Sequence, residues 1–262
     1  MIPIRAHGMR RRMNRILLES SELDAEGRAE LTGRRARHVR DVLRAGPGDA
    51  VRVGILEGPL GRASILEIRP DLVRLQCALE RHPPPRPSVD LIMALPRPKA
   101  LKRLYATVAS LGVDRWWLVN ADRVERDYFD THVLHPGFIR DRLIEGLEQC
   151  GDTRLPEVSV RRRLKPFIED ELDGLCPDAG IRCLFHPRAE RDAQELRGRL
   201  AHQSRVLLAL GPEGGWVDYE LDLLARHGFL AVRLGTGRIL RNDTAAIAAL
   251  AVIDALRTPG PV

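Results

Sequence analysis

Two glycine-rich stretches near the C-terminus hold the residues best suited to chemistry. The first follows the apolar run Leu207-Leu208-Ala209-Leu210 and reads Gly211-Pro212-Glu213-Gly214-Gly215. The second follows Val232-Arg233-Leu234 and reads Gly235-Thr236-Gly237-Arg238-Ile239-Leu240-Arg241-Asn242-Asp243-Thr244. Each stands between a strand pattern and a helix pattern. Such loops bring bare backbone against a ligand, and the helix N-termini beyond them favour anions and polar edges. If the two strands are neighbours, the two loops close one cofactor cleft.

The ligand can be narrowed by elimination. A phosphate-binding P-loop needs Gly-Lys-Ser/Thr, and no lysine lies near either loop. A dinucleotide fold needs an acidic residue at the end of the next strand, about 20 positions on. Here that strand ends Arg233-Leu234-Gly235, which argues against NAD. A helix cap flanked by solvated arginines accounts for Asn242-Asp243-Thr244 but not for the glycines and the Ile239-Leu240 pair ahead of it. An apolar wall beside free backbone hydrogen-bonding groups suits an adenine ring.

The cluster His82-Pro83-Pro84-Pro85-Arg86-Pro87 cannot pair in a sheet or continue a helix, so it reads as a stiff linker. It divides the chain into residues 1–82 and 83–262. In the first part, Met13–Leu18, Val51–Leu56, Arg62–Ile68 and Leu72–Leu79 read as strands. A helix covers Arg34–Leu43, with Ala36, Val39 and Leu43 on one face. In the second, strands at Val89–Leu95, Arg115–Val119, Ile181–Phe185, Val206–Leu210 and Phe229–Leu234 alternate with helices. The helices begin at Pro98 and cover Phe138–Gln149, Glu190–Leu200, Asp218–Arg226 and about Asp243–Leu256. That alternation predicts an α/β fold with a mostly parallel sheet covered on both faces. The last helix is apolar all round from Ala245 to Ile253, so it is expected to be buried on every side, as a core helix or against a second copy of the chain.

The formal charge is +6, and of 42 basic residues only Lys99, Lys102 and Lys165 are lysine. Arginine forks suit phosphate and guanine recognition, although an arginine-rich genome produces the same composition. No apolar run approaches the roughly 20 residues that span a bilayer, and no apolar segment follows Arg10-Arg11-Arg12, so a cytoplasmic protein is expected. Cys77, Cys150, Cys176 and Cys183 form no Cys-x-x-Cys pair; no metal is expected.

The two loops together resemble the RsmE family of the SPOUT class, 16S rRNA uracil-N3 methyltransferases that use S-adenosylmethionine. The carrying residues are Leu210-Gly211-Pro212-Glu213-Gly214-Gly215 and Leu234-Gly235 with Arg238-Ile239-Leu240-Arg241-Asn242-Asp243-Thr244-Ala245. The resemblance continues through Glu148-Gln149-Cys150, Arg154-Leu155-Pro156, Leu111-Gly112-Val113, and His38 with Val42-Leu43-Arg44. It departs where the family commonly has Lys and Glu before Leu-Gly-Val, here Thr107 and Ser110, and often has Arg where Asp152 stands.

The resemblance implies a small N-terminal PUA-like RNA-binding barrel, a SPOUT-type trefoil-knotted methyltransferase domain and a homodimer. It implies 16S rRNA or the small ribosomal subunit as substrate. Leu210, Gly211, Glu213, Gly214, Leu234, Gly235, Ile239, Leu240, Thr244 and Ala245 would then line the cofactor site. Uracil N3 is a poor nucleophile until its proton leaves, so a base or an aid to the anion is expected. Glu213 and Asp243 are the nearby carboxylates, and Arg241 is placed to stabilise charge on the uracil oxygens. Glu213 as a loop-orienting residue, Asp243 as a helix cap and Arg241 as a phosphate holder are the structural alternatives. RNA contacts are expected at Arg11, Arg12, Arg15, Arg34, Arg37, Arg40, Arg44 and Arg154, with Arg34, Arg37, Arg40 and Arg44 at helical spacing. Another SPOUT RNA methyltransferase, acting on ribose or a different base, and a catalytically idle RNA-binding assembly factor are the competing readings.

Overall fold

The computed structural model describes residues 15–200 and 205–257. Its contacts divide the chain into two compact units. One holds the residues up to Pro85 together with 147–154; the other holds 86–146 and the residues from Leu155 onward.

The first unit is built on a five-stranded sheet. Its strands are β1 (Ile16–Leu18), β2 (Arg28–Thr32), β3 (Ala50–Ile55), β4 (Leu60–Arg69) and β5 (Leu72–Leu79), in the order β1-β3-β4-β5-β2. Only β1 and β3 pair in parallel. Leu18, Leu31, Val39, Val53, Val73 and Leu75 are sealed from solvent and form its core. Helix α1 (Gly33–Arg37) widens into a π-type turn at His38–Val42, and Ala36, Val39 and Leu43 do face inward. Strand β2 has no sequence signal. It alternates charged and buried residues, but its inward pair is only Ala29 and Leu31, too few apolar positions to announce a strand.

Residues 147–154 are fastened to this unit by hydrogen bonds. Arg15 N–H donates to Glu148 O at 2.8 Å and Glu57 N–H to Thr153 O at 2.9 Å. The Thr153 hydroxyl donates to Gly58 O at 2.7 Å.

The second unit carries a six-stranded sheet. The strands are β6 (Val89–Ala94), β7 (Arg115–Val119), β8 (Glu157–Arg161), β9 (Ala179–Phe185), β10 (Arg205–Leu210) and β11 (Leu230–Val232). The order is β11-β9-β10-β6-β7-β8 and every pairing is parallel. Helices α2 (Pro98–Ser110), α3 (Pro136–Cys150), α4 (Leu164–Pro166), α5 (Leu172–Leu175), α6 (Asp218–Arg226) and α7 (Asn242–Arg257) make the connections. Strand β6 is buried along its whole length and β10 from Val206 on, as a sheet covered on both faces requires. Pro98 opens α2, and Gly112 at φ +73° follows its end, a left-handed turn natural to glycine.

Three expectations are corrected. The glycine loops do not follow adjacent strands, because β9 pairs with both β10 and β11 and lies between them. The helix expected over Glu190–Leu200 shrinks to one 3-10 turn, Ala193–Leu196, boxed by Asp192 and Glu195. Gly198 shortly beyond it is a poor helix former. Helix α7 is not buried all round within one chain: Ala246, Ala249, Leu250, Ile253 and Leu256 face inward, while Ile247 and Ala251 are exposed.

The N-terminal edge of the parallel sheet is closed by ions. Asp90 is 0% exposed. Arg115 Nε donates to it at 3.0 Å, and Arg205 donates through Nε at 2.7 Å and Nη2 at 2.6 Å. Arg205 also holds Asp114, which Arg86 reaches at 2.9 Å. Burial alone would lower the pKa of the Arg205 guanidinium, but its hydrogen bonds to Asp90 and Asp114 outweigh that and raise it.

Candidate active site

The opposite edge of the same sheet is where the glycine loops emerge. A side chain at Gly211 would place its Cβ 2.9 Å from the Trp216 indole, so the close approach of that ring demands glycine. The loop turns back on itself through Gly215 N–H to Pro212 O at 2.8 Å, with Gly215 at φ +76°. Buried Glu220, in the first turn of α6, accepts Val217 N–H at 3.0 Å and Asp122 N–H at 2.8 Å. It thereby ties the loop after β10 to the loop after β7. Arg123, also from the β7 loop, donates to Gly214 O.

The second loop reaches the first through one side chain. Asn242 does not spend its amide on capping α7; its Nδ2 donates to Gly211 O at 2.7 Å. Two buried polar atoms remain without partners beside this link, Asn242 Oδ1 and Trp216 Nε1. Buried polar groups are normally paired, so an acceptor and a donor left open here suit a polar ligand. Gly235, Ile239 and Thr244 are exposed, and Leu234, Leu240 and Ala245 are half-buried. The loops thus offer backbone and apolar surface together.

The three residues with expected roles in proton and charge handling differ in setting. Arg241 is 79% exposed and stands 3.6 Å from Asp243. Asp243 is well covered and receives Arg103 Nη2 at 2.8 Å and Thr244 N–H at 3.0 Å. Burial works to raise its pKa, but the Arg103 hydrogen bond, the Thr244 amide and the Arg241 charge win, and the net shift is downward. A carboxylate so stabilised is a poor proton acceptor. Glu213 instead pairs with Arg97 at 2.8 Å in the open.

Four residues of this site carried no usable signal: Arg97, Arg103, Arg123 and Glu220. The three arginines, among many in the chain, are distant in sequence from the loops they hold, and Glu220 sits beside one loop but far from Asp122 in the other.

The expected RNA contacts separate into groups. Arg11 and Arg12 lie outside the described residues. Arg15 spends its guanidinium on the carbonyls of Gly151, Val53 and Gly61 at 3.0, 2.6 and 3.3 Å. Arg154 donates to Pro84 O at 2.7 Å and to Glu57 O at 3.3 Å. Both brace the first unit through these carbonyls. Arg34 and Arg37 are exposed, Arg34 within 3.5 Å of Glu148. Arg40 is engaged by Asp41 at 2.6 Å. Arg44 lies beyond the helical stretch at φ +50°, so the four do not continue one α-helical stripe.

Among the described residues no group of three or more His, Cys, Asp and Glu could hold a metal. Burial pushes the Cys183 thiol up to about 12, which keeps it protonated. Among the described residues no helix is long and apolar enough to cross a membrane.

Residues 83–254, which hold the parallel sheet and the two crosslinked glycine loops at its C-terminal edge, match the family model described as an RNA methyltransferase domain. The chain is 32% identical over 247 residues to the ribosomal RNA small subunit methyltransferase E of Treponema pallidum, covering 92% of this chain and 90% of that one. A methyltransferase of Legionella pneumophila, solved with the cofactor SAM, is 25% identical, with a TM-score of 0.69 over 93% of this chain and 98% of that one. The enzyme named ribosomal RNA small subunit methyltransferase E from Neisseria gonorrhoeae shares the fold, at 22% identity and a TM-score of 0.72 over 93% and 98% of the two chains. The chain belongs to the ribosomal RNA small subunit methyltransferase E family.

Proposed function

We propose that this protein transfers a methyl group from S-adenosylmethionine to N3 of a uridine in 16S rRNA of the small ribosomal subunit. The observation that carries the reading is the Asn242–Gly211 crosslink, flanked by the unpaired Asn242 Oδ1 and Trp216 Nε1. These atoms fit a ligand with both a polar edge and an apolar body. The relative from Legionella pneumophila binds SAM, which supports the same cofactor here.

Bound S-adenosylmethionine supplies an electrophilic methyl group. The residues that hold it are Leu210, Gly211 and Gly214 of the first loop and Leu234, Gly235, Ile239 and Leu240 of the second. Glu213, Thr244 and Ala245 stand at the margins. Methyl transfer is chiefly a positioning problem, and the ties from Glu220, Arg123 and Asn242 hold the loops for it. Arg241 is free to stabilise charge on the uracil oxygens. Asp243 holds Arg103 and the start of α7 in place.

The first unit is read as the PUA-like barrel, presenting Arg34, Arg37, Arg40 and Arg44 to RNA. The second is read as the SPOUT domain with its trefoil knot; the insertion of β10 between β6 and β9 agrees with this. The exposed apolar strip of α7, with Ile247 and Ala251, is the contact of a homodimer. A cytoplasmic location follows from the ribosomal substrate. The target base must leave any stack to reach the loops.

The test is transfer of labelled methyl onto small-subunit RNA lacking modifications, followed by mapping of the product. Label at uracil N3 supports the reading; label on ribose or on another base replaces it with a different SPOUT activity; no label leaves the idle assembly factor.

A further inference from the structure

From β6 the chain runs outward through β7 and β8, then crosses to fill the other side with β9, β10 and β11. The crevice between β6 and β10 is therefore a topological switch point, where open parallel sheets place their ligands at the strand C-termini. Arg97 follows β6 and Glu213 follows β10. Their side chains meet across the crevice at 2.8 Å while remaining 63% and 38% exposed. So exposed an ion pair adds little to stability, which leaves it free to be shared with a ligand.

We propose that the Arg97–Glu213 pair reads the Watson–Crick edge of the target uracil, with Glu213 accepting the N3–H and Arg97 donating to the neighbouring O4 carbonyl. The proposal rests on the uracil-N3 reading above and assigns the reader. Uracil presents the sequence acceptor, donor, acceptor along that edge. An arginine beside a carboxylate presents a donor next to an acceptor, which is its complement. Cytosine presents an amino donor and a bare N3 acceptor, so each group would meet its like: amine against guanidinium, lone pair against carboxylate. Guanine shares the first two groups with uracil, so the pair separates uracil from cytosine and leaves purines to the size of the crevice.

The same contact sets up the chemistry. The N3–H bond breaks toward the Glu213 carboxylate, and the N3 electron pair forms the bond to the methyl carbon. The carbon–sulfur pair stays on sulfur. One carboxylate and one sulfonium are neutralised together, and Glu213 then returns its proton to water. Uracil N3 is a far weaker acid than a carboxylic acid, so the Arg97 contact at O4 must stabilise the charge that develops as the proton leaves. Asp243 is less suited to this role because its carboxylate is only 14% exposed and is held by both Arg103 and the Thr244 amide, whereas that of Glu213 is 38% exposed.

The experiment uses the full chain and short RNAs spanning the nucleotide mapped above, carrying U or C at the target. Binding is followed by fluorescence anisotropy at one fixed salt concentration. The wild type is expected to prefer U by about tenfold to a hundredfold, the range of one hydrogen bond to a charged group. Arg97→Met and Glu213→Ala should each weaken the preference for U and the double variant should abolish it, while Arg97→Met keeps wild-type calorimetric affinity for S-adenosylmethionine, which shows that the loops still fold. Glu213→Gln keeps an acceptor for N3–H, so it should retain the preference for U yet lose about a hundredfold or more in turnover. A preference for U that survives undiminished in Arg97→Met, or at all in the double variant, overturns the proposal and leaves the pair as a tie between two loops. So does a wild type that binds U and C equally while still methylating uracil N3. Product mapped to another position removes the uracil-N3 reading itself, and with it the proposal.

Discussion

The two edges of the parallel sheet are built on opposite terms. At the N-terminal edge, Asp90 is fully buried, bonded by Arg115 and Arg205, and Arg205 is shared with Asp114. The two buried carboxylates there have found their partners within the protein. At the C-terminal edge, Asn242 Oδ1 and Trp216 Nε1 have none, and Glu213, Arg97 and Arg241 stand in solvent. One edge is closed on itself; the other is organised but incomplete. The same strands run through both, so stability and binding are separated along the strand axis rather than between elements.

That contrast can be broken most forcefully at the closed edge. Asp90→Ala would leave Arg115 and Arg205 without their shared carboxylate and should cost about 3–5 kcal/mol, read from urea unfolding. The folded fraction should still bind S-adenosylmethionine normally. If affinity for the cofactor falls in folded protein as well, the two edges are coupled and the comparison fails.

At the open edge the signs should reverse. Arg241→Ala removes an exposed side chain, so unfolding should shift by no more than about 0.5 kcal/mol. Turnover should fall by about a hundredfold to a thousandfold, as when one charge-stabilising donor is lost, with cofactor affinity unchanged. An equal loss of cofactor binding would remove Arg241 from the reaction and place it on the cofactor.

Gly211→Ala probes the hinge between the two behaviours. Its methyl group would meet the Trp216 indole at 2.9 Å. Overpacking of this kind costs about 1–3 kcal/mol, and the displaced Trp216 should weaken S-adenosylmethionine in a calorimetric titration. Normal affinity would mean that Trp216 can move without consequence for the site.

The smallest effect concerns pH. The Asp243 carboxyl is held below its ordinary value of 3.8 in the folded chain. Its contribution to stability is therefore complete above that value and is lost as pH falls through the lowered folded value. Arg103→Met should reduce stability by less than about 1 kcal/mol at neutral pH, since Arg103 is exposed. The difference from wild type should fade in acid-unfolding curves below about pH 4, where the unfolded carboxyl protonates. A difference that persists unchanged in strong acid would assign Arg103 to packing rather than to the Asp243 charge.

Much of the second unit was legible because its strands are apolar on both faces and its helices carry clear boundaries. Arg115–Val119 and Asp218–Arg226 match the sequence reading end to end, and Pro98 opens α2 as expected. Legibility failed where apolar content is thin. Strand β2 buries only Ala29 and Leu31, and the edge strand β8, Glu157–Arg161, is half-buried with two charged residues in five. Residues Glu190–Leu200 have helical composition, yet only Ala193–Leu196 turns.

The sequence by itself determined the glycine loops, the apolar strands ahead of them and the helices behind them. These follow from local chain stiffness and hydrophobic periodicity, which act over a few residues. It also carried the family, because the loop residues cluster within two short stretches. Only the tertiary structure decided that β9 lies between β10 and β11, that Asn242 crosslinks the loops instead of capping a helix, and that Arg97 meets Glu213. Parallel strands are paired through long crossovers, so which strands become neighbours is set by packing across the whole sheet rather than by any local pattern. An arginine's partner is chosen by that same packing, and in a chain with so many arginines no spacing along the sequence can single out the ones that hold the site.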